Sequence, residues 1–531
     1  MSLREIEYTD INAFSKVLID YNSNKKHFTD LISNFPSVDS LTKQVSSKSK
    51  NYNHSFRSSL VQEINNQYEG IKLSEKQKEN INKLSQKNTY TITTGHQLNL
   101  FTGPLYFMYK ILSVINLCEK MQKNDADNNF VPIFWMASED HDFEEINHFF
   151  FKGEKFSWLT NQSGIVGEFK LEAIEDLINR FEDKIKDSTY SAEIIAILKD
   201  CYLNAKDLSN ATMKLVNTLF AKYGLVIIDA NNRNLKALFK DIIKREVTEK
   251  LIFNESKKSL EILSELNYDI QAYPRELNLF YVEKEKRERI IEKGNFFETF
   301  SGSRKWNLEE IKIEINNYPE KFSPNVLFRP IYQEFILPNI CYVGGPAEVS
   351  YWMQLKSVFD SIDLEFPIIL NRNSALILEK KFLKKMKKLN ITLDEIFLPE
   401  NILKDKLVKG YSKLELDFTA LKQQLFKQFA ELKEIAKNTD KSFIGALNAQ
   451  EKKQINGLEK LEKKLISSEK KVHQEKINRV LEIRKQIYPN GKLQERSSNF
   501  SEFYINEGAN FIDIVKNNLD PLNQKFSIIE I

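Results

Sequence analysis

Two short stretches hold most of the chain's reactive side chains in close order. In the first, Thr94-Gly-His-Gln97 follows the β-branched run Tyr90–Thr94 and leads on to Asn99 and to Phe101-Thr-Gly-Pro104. In the second, the apolar run Val131–Ala137 ends in Glu139-Asp-His-Asp142 and continues to Glu145, Asn147 and His148. An imidazole and a carboxamide straight after a strand suit an anion or a nucleotide phosphate that also uses the free N–H groups of a following helix. Gly95, just ahead of them, frees the backbone to turn sharply. Consecutive titratable groups against an apolar strand are costly near a core unless they serve a purpose. One such purpose is general acid–base work, with the carboxylates tuning His141. Another is metal binding by His141, Asp142 and His148, as in a metal-dependent amidohydrolase. The seven-residue spacing would put those two histidines near one face of a continuous helix. Helix capping by Asp142 and Glu145 accounts for those two residues but not for Asp140 and His141.

A third stretch, Ser323-Pro-Asn325 through Arg329-Pro, Gln333-Glu and Gly344-Gly-Pro-Ala-Glu348, adds a guanidinium beside apolar sequence. Arg329 there can emerge at a sheet edge and grip a carboxylate with two N–H groups. Gln333 and Glu334 can line the same opening, and Gly344 and Gly345 can bring backbone close to a ligand. Glu348 falls in a first helical turn, where capping alone favours it, and Tyr351 and Trp352 read as core.

These side chains need strands to deliver them. Tyr90–Thr94, Val131–Ala137, Tyr223–Ala230, Ile340–Val343 and Leu364–Leu370 are apolar runs separated by helical periodicities. That alternation predicts an α/β fold with a mostly parallel sheet covered on both faces, and chemistry at the carboxyl edge of the sheet. Gly103-Pro104 reads as a helix start, with Leu105, Met108, Leu112 and Ile115 recurring at helical spacing. Pro346 reads as the start of another helix, carrying Val349, Trp352 and Phe359. The Lys- and Glu-rich stretches at about 168–215 and 236–300 read as helical insertions. From Leu414 the apolar residues step by three and four, pause near Asn438–Lys441, and resume from Ile444 to Val472 and beyond. Two long helices joined by a turn predict an antiparallel coiled-coil arm that pairs subunits. The expected regions are a helical segment at 1–88, the core at 89–375, a connector at 376–413, the coiled coil at 414–487, and a return to globular structure at 488–531.

Composition narrows the partners. With 531 residues the chain exceeds what one core usually serves. Its 77 basic and 74 acidic residues leave a formal charge of +3, which gives no global case for nucleic acid. No run approaches the roughly 18 apolar residues that span a bilayer. Met1–Tyr8 lacks the pattern of a signal peptide. Cys118, Cys201 and Cys341 show no CxxC spacing and read as reduced thiols, so a cytoplasmic location is expected. Walker-type GxxxxGK[ST], GxGxxG after a strand and GxSxG are all missing, which disfavours the phosphate-loop ATPases, dinucleotide oxidoreductases and α/β-hydrolases.

The blocks Thr94–Gln97, Phe101–Pro104, Val131-Pro-x-Phe-Trp135, Glu139-Asp-His-Asp-Phe-x-Glu-Ile-Asn147, Ser323-Pro-Asn325, Arg329-Pro, Gln333-Glu, Gly344-Gly345, Glu348, Tyr351-Trp352 and Pro489-x-Gly-x-Leu-Gln-Glu-Arg496 run in order along nearly the whole chain. Together they closely resemble the cysteine-adding enzyme family of bacillithiol biosynthesis, BshC. The resemblance implies a Rossmann-like core with connecting insertions and a coiled coil that pairs subunits into a homodimer. It also implies a ligase joining the carboxyl of L-cysteine to the amine of glucosaminyl-malate, with ATP or another nucleotide as activator. On that basis the catalytic candidates are His96, Asp140, His141 and Asp142. The substrate-binding candidates are Gly95, Gln97, Asn99, Asn147, Arg329, Gln333, Gly344, Gly345, Glu348 and Trp352. No metal ligand set is assigned, and the alternatives to a ligase are the amidohydrolase above and a coiled-coil scaffold or binding subunit.

Overall fold

The computed structural model describes residues 3–437 and 441–531. Five parallel strands form its centre: β1 (Thr89–His96), β2 (Asn129–Met136), β3 (Val226–Asp229), β4 (Asn339–Gly344) and β5 (Ile368–Asn371). They lie in the order β5-β4-β1-β2-β3. β1 to β3 therefore step outwards on one side, and the chain then returns to lay β4 on the other side of β1. The reversal puts the topological switch point between the carboxyl ends of β1 and β4, where open α/β sheets bind ligands. The register brings Gly95 beside Trp135, Thr93 beside Tyr342 and Gly344 beside Asn371.

The apolar runs explain why this sheet is central. Val131 to Met136 are buried without alternation, as a strand covered on both faces requires. The helix α1 (Tyr106–Asn124) covers one face and contributes Val114, Leu117, Cys118 and Met121 to a core shared with Tyr90, Ile92, Ile340, Cys341, Val343 and Ile368. All three cysteines are buried and free.

Several local expectations change. Helix α1 starts at Tyr106 rather than Pro104, because Pro104 bridges to Asn499 and the N–H of Leu105 donates to the Ser498 carbonyl. Pro346 does open a helix, α4 (Pro346–Met353), but Phe359 belongs to the next one, Lys356–Ser361. The stretch 236–300 is not all helix. After α2 (Arg233–Glu249) and two shorter helices, Leu279–Glu283, Lys286–Lys293 and Phe296–Thr299 form antiparallel strands, joined by Lys305–Trp306 and Phe322–Pro324 in a separate sheet. Half-exposed strands of Lys, Arg and Glu carry little apolar alternation, so their composition passes for that of a solvated helix. Arg329 accordingly follows a strand of this second sheet and opens α3 (Arg329–Ile336), instead of leaving the edge of the parallel sheet.

The chain divides into two compact units, one of 1–9, 13–377 and 492–530, the other of 10–12, 378–491 and 531. In the first, the segment after Lys492 returns to the core. Glu495 grips Arg372 through both carboxylate oxygens, at 2.8 and 3.1 Å, with both side chains buried. In the second, α5 (Thr419–Ala436) and α6 (Lys441–Val472) pack through Phe429, Ala436 and Leu447, with Leu425 and Ile444 at the margin. Lys422 pairs with Glu462 and Lys433 with Glu451, so the helices are antiparallel. The turn expected at Asn438–Lys441 lies, through Asp440, outside the described residues. The second helix of the arm breaks at His473 and resumes as α7 (Gln474–Ile487). Among the described residues no helix is long and apolar enough to cross a membrane.

Breaking a buried ion pair on one side strands a charge, whereas exposed pairs contribute little. Glu495→Ala should lower the unfolding free energy in urea by about 3–5 kcal/mol. Glu75→Ala, which removes the exposed Lys78–Glu75 pair, should change it by less than about 0.5 kcal/mol.

Candidate active site

A cleft of about 580 Å³ opens over the switch point. The end of β1 supplies Gly95, His96 and Gln97, and the loop after β2 supplies Ala137, Glu139, Asp140 and His141. Arg329 enters from the start of α3, and Gly345 and Glu348 from the start of α4. Phe280 and Arg287, from the antiparallel sheet, also line it.

Gly95 lies at the crowded centre. A Cβ there would come 3.3 Å from Arg329 Nη1, 3.4 Å from Tyr342 Oη and 3.5 Å from the Trp135 carbonyl, so any side chain would push the guanidinium away. Arg329 donates from Nη1 to Gln333 Oε1 (2.9 Å) and from Nη2 to the hydroxyls of Tyr351 (3.0 Å) and Tyr342 (3.3 Å). These are neutral oxygens, and among the described residues Arg329 has no carboxylate within ion-pair distance. Burial opposes its charge, but Tyr351, Tyr342 and the nearby Glu348 keep it firmly protonated.

Glu348 is spent within the protein. One oxygen accepts from the Gly345 N–H (2.7 Å) and pairs with Lys110, and the other accepts from Tyr342 Oη (2.5 Å). Although burial pushes the other way, Lys110 and these donors hold the carboxyl below its usual range. Lys110 also donates to the Gly95 carbonyl at 2.8 Å, which ties α1 to the end of β1.

The imidazole of His96 sits between Tyr106 and Phe107, and its Nδ1 lies 3.1 Å from the Gln97 carbonyl. A carbonyl only accepts, so Nδ1 carries the proton and Nε2 is left as an acceptor. Burial first, then the Lys110 charge, push this histidine down from 6.5 to about 3. Gln97 spends its amide donor on Asp140 Oδ2 (2.6 Å) and Glu145 Oε2 (3.0 Å). Neither side chain therefore offers an N–H to an anion, and the expectation that this pair seats a phosphate or oxyanion is corrected; the guanidinium groups that line the cleft are those of Arg287, Arg329, Arg372 and Arg496.

Asp140 accepts from Gln97 and from the His141 backbone N–H (2.8 Å), with Arg287 Nη1 3.9 Å away. Burial would raise this carboxyl, but the contacts to His141 and Gln97 and the Arg287 charge hold it well below the ordinary range. His141 Nδ1 lies 2.9 Å from Arg287 Nη1 and 3.5 Å from Asp140 Oδ1. Arg287 stacks on Phe280 at 3.9 Å and donates to Ser323 Oγ and to the Pro324 carbonyl, which fixes its direction.

Other expected residues lie elsewhere. Asp142 is exposed and makes no side-chain cap, and the helix after it is only Phe143–Ile146. His148 is on a hairpin strand with its Nδ1 3.0 Å from Asn147 Oδ1, so the helical premise for a His141–Asp142–His148 metal site fails. Among the described residues no group of three or more His, Cys, Asp or Glu is arranged to hold a metal ion. Asn99 is buried against Gly103, whose φ of +62° leaves no place for a Cβ. Trp352 is fully buried and stacks on Tyr342 at 4.4 Å. Gln333 stands behind Arg329, and Gly344 packs on the Glu348 side chain. The cleft also contains Tyr106, Lys110, Arg287, Tyr342, Tyr351, Arg372 and Arg496, which the sequence reading passed over as ligands. Lys110 inside an apolar helical stripe, and Arg372 straight after an apolar strand, were detectable signals. Arg287, within a charged strand at the middle of the antiparallel sheet, gave none.

A buried histidine that stays neutral makes the fold acid-sensitive. The unfolded chain takes up a proton at His96 below pH 6.5, and the folded one only near pH 3. The stability of wild type relative to His96→Gln should therefore decline by about 1.4 kcal/mol per pH unit as pH falls through that window, read from urea midpoints at each pH.

Residues 1–373 match the model of the bacillithiol biosynthesis BshC N-terminal Rossmann-like domain, and residues 375–531 that of the BshC C-terminal coiled-coil domain. A protein of Flavobacterium psychrophilum named "Putative cysteine ligase BshC" is 45% identical over 99% of both chains. One of the same name from Christiangramia forsetii is 42% identical over 99% of this chain and 98% of its own. A more distant namesake in Bacillus cereus is 26% identical over 97% of this chain and 98% of its own. With both domain models matched end to end over a Rossmann-like sheet and a coiled coil, the chain belongs to the BshC family of bacillithiol biosynthesis.

Proposed function

We propose that the chain is a ligase that joins the carboxyl of L-cysteine to the amine of glucosaminyl-malate. One observation carries the reading within the cleft: Arg329 is a buried, charged guanidinium bonded, among the described residues, only to neutral oxygens, in the same cavity as an ionised Asp140. The first seats a carboxylate, and malate, with two, is the better occupant. The second accepts hydrogen bonds from an amine and holds it near the acyl carbon.

Amide formation needs a neutral amine and an activated carboxyl. The amine nitrogen attacks the cysteine carboxyl carbon, a C–N bond forms, and the C–O bond to the leaving oxygen breaks. The amine proton goes to His141 Nδ1. That nitrogen stands between Arg287 and Asp140, so on protonation it exchanges the Arg287 N–H for the Asp140 carboxylate. His96, neutral and with Nε2 open, accepts a hydrogen bond from substrate and takes no part in proton transfer near pH 7. A nucleoside triphosphate would supply the activation of the carboxyl. Arg372, whose Nε is buried without a partner among the described residues, and the exposed Arg496 are the residues that fit its phosphates.

We further propose that the arm pairs two copies of the chain. Phe426, Ile435, Leu461 and Val472 are 50, 65, 56 and 70% exposed on helices whose own contacts are already satisfied elsewhere, an apolar surface that a second hairpin would cover.

Purified protein given L-cysteine, glucosaminyl-malate and ATP should yield the amide by mass spectrometry. Arg329→Met should lower kcat/KM by about ten- to hundredfold, and His141→Ala should lower kcat by about a hundredfold. Absence of product from folded protein would overturn the ligase reading. In sedimentation, wild type should be dimeric at micromolar concentration and Phe426→Lys/Leu461→Lys monomeric.

A further inference from the structure

We propose that Glu334, buried behind the cleft, is a positioning residue that fixes the direction of Arg329 through Gln333. This deepens the proposed reaction and rests on Arg329 taking a carboxylate of the amine substrate.

A chain of side chains runs from the sheet to the cleft. The hydroxyls of Thr91 and Thr93 donate to Asn339 Oδ1 at 3.2 and 2.8 Å, which leaves the Asn339 amide N–H to donate to Glu334 Oε1 at 2.8 Å. Gln333 donates to the same oxygen at 2.8 Å, and Arg329 donates to Gln333 Oε1 at 2.9 Å. Gln333, Glu334 and Asn339 are all fully buried.

The direction of the chain follows from chemistry. A carboxamide can face either way, and its neighbours decide which. Glu334 Oε1 faces the Asn339 N–H and so accepts whether or not the other oxygen carries a proton, while Arg329 can only donate, so Gln333 turns its N–H to Glu334 and its oxygen to Arg329. Arg329, four residues before Gln333 on the same face of α3, then has one Nη committed and the other aimed at Tyr351 and Tyr342. Lys48 stands on the far side of Glu334, 3.3 Å from its carbonyl and 4.0 Å from Oε2. Among the described residues Glu334 Oε2 has no hydrogen-bond partner, and burial pushes the carboxyl up to about 7. An acid this poorly satisfied is costly to keep inside a sheet-and-helix core. Ordering Gln333 gives it a use.

The isosteric variant Glu334→Gln tests the idea. A carboxamide has one acceptor oxygen where the carboxylate had two: with that oxygen towards Gln333 and Asn339 its N–H groups face Lys48, and with it towards Lys48 they face the Gln333 and Asn339 amides. In either orientation a donor opposes a donor, and the acceptor that orders Gln333 is weakened. KM for glucosaminyl-malate should rise about tenfold, the loss expected for one charge-assisted hydrogen bond. KM for L-cysteine and kcat should stay within about twofold. Arg329→Met is measured alongside. If Arg329→Met raises KM for glucosaminyl-malate and Glu334→Gln does not, the positioning role is overturned and the reading of Arg329 stands. If Arg329→Met leaves that KM unchanged, the reading of Arg329 itself fails. Glu334→Gln changing both KM values and kcat together would mean a structural role only. Should Glu334→Gln fail to melt cooperatively, Gln333→Met, which cuts the same chain and keeps Glu334, is held to the same comparison.

Discussion

The crowding over Gly95 governs the rest of the cleft. A parallel sheet places the carboxyl ends of β1, β2 and β4 side by side, and the side chains they release converge on one small volume. Arg329, Tyr342 and the Trp135 carbonyl all lie within 3.5 Å of where a Cβ would stand on residue 95. The backbone there is also a ligand of the protein itself, because Lys110 is held by the Gly95 carbonyl. A side chain at this position would crowd the guanidinium against Tyr342, so one missing Cβ leaves room for Arg329 beside a backbone that also holds Lys110.

The charges around it are sorted by how many partners each already has. Lys110 and Glu348 neutralise each other, Arg372 is matched by Glu495, and Glu139 is matched by Lys236. Arg329 is left with neutral partners, and Arg287 shares one imidazole with Asp140. Interior ion pairs of this kind add little net stability, but each fixes a rigid wall. Arg329 is thereby left, among the described residues, without a carboxylate partner at the centre of the cleft.

Much of this was visible in the residues. The five apolar runs ending in polar side chains located the parallel sheet and its reactive edge, and Gly95, His96, Gln97, Asp140, His141, Arg329, Gly345 and Glu348 do line one cleft. What each contributes was less visible. The polarity of His96 and Gln97 depends on which hydrogen bonds their other atoms make, and those partners are a backbone carbonyl and two carboxylates more than 40 residues away. Glu348 reads as a ligand until Tyr342 and Lys110 are seen to occupy both its oxygens. The strand at 286–293 is charged at six of its eight positions, which masks its period, whereas the apolar run Leu279–Val282 ahead of it did carry a strand signal. Trp352 and Asn99 belong to conspicuous motifs, yet their work is packing.

The return of the segment beginning at Lys492 ties the cleft to the order in which the chain is made. Arg372 meets its counter-charge 123 residues later, Pro104 pairs with Asn499, and Leu3–Ile6 forms its sheet with Phe526–Glu530. A nascent chain at the ribosome can build the sheet and the arm while the guanidinium of Arg372 still lacks its partner. Contacts of such long sequence separation form slowly and come last. Until the segment from Lys492 packs back, the cleft lacks Arg496 and the guanidinium of Arg372 has no counter-charge, so the wall on that side is completed by residues far along the chain from the strands that build the rest.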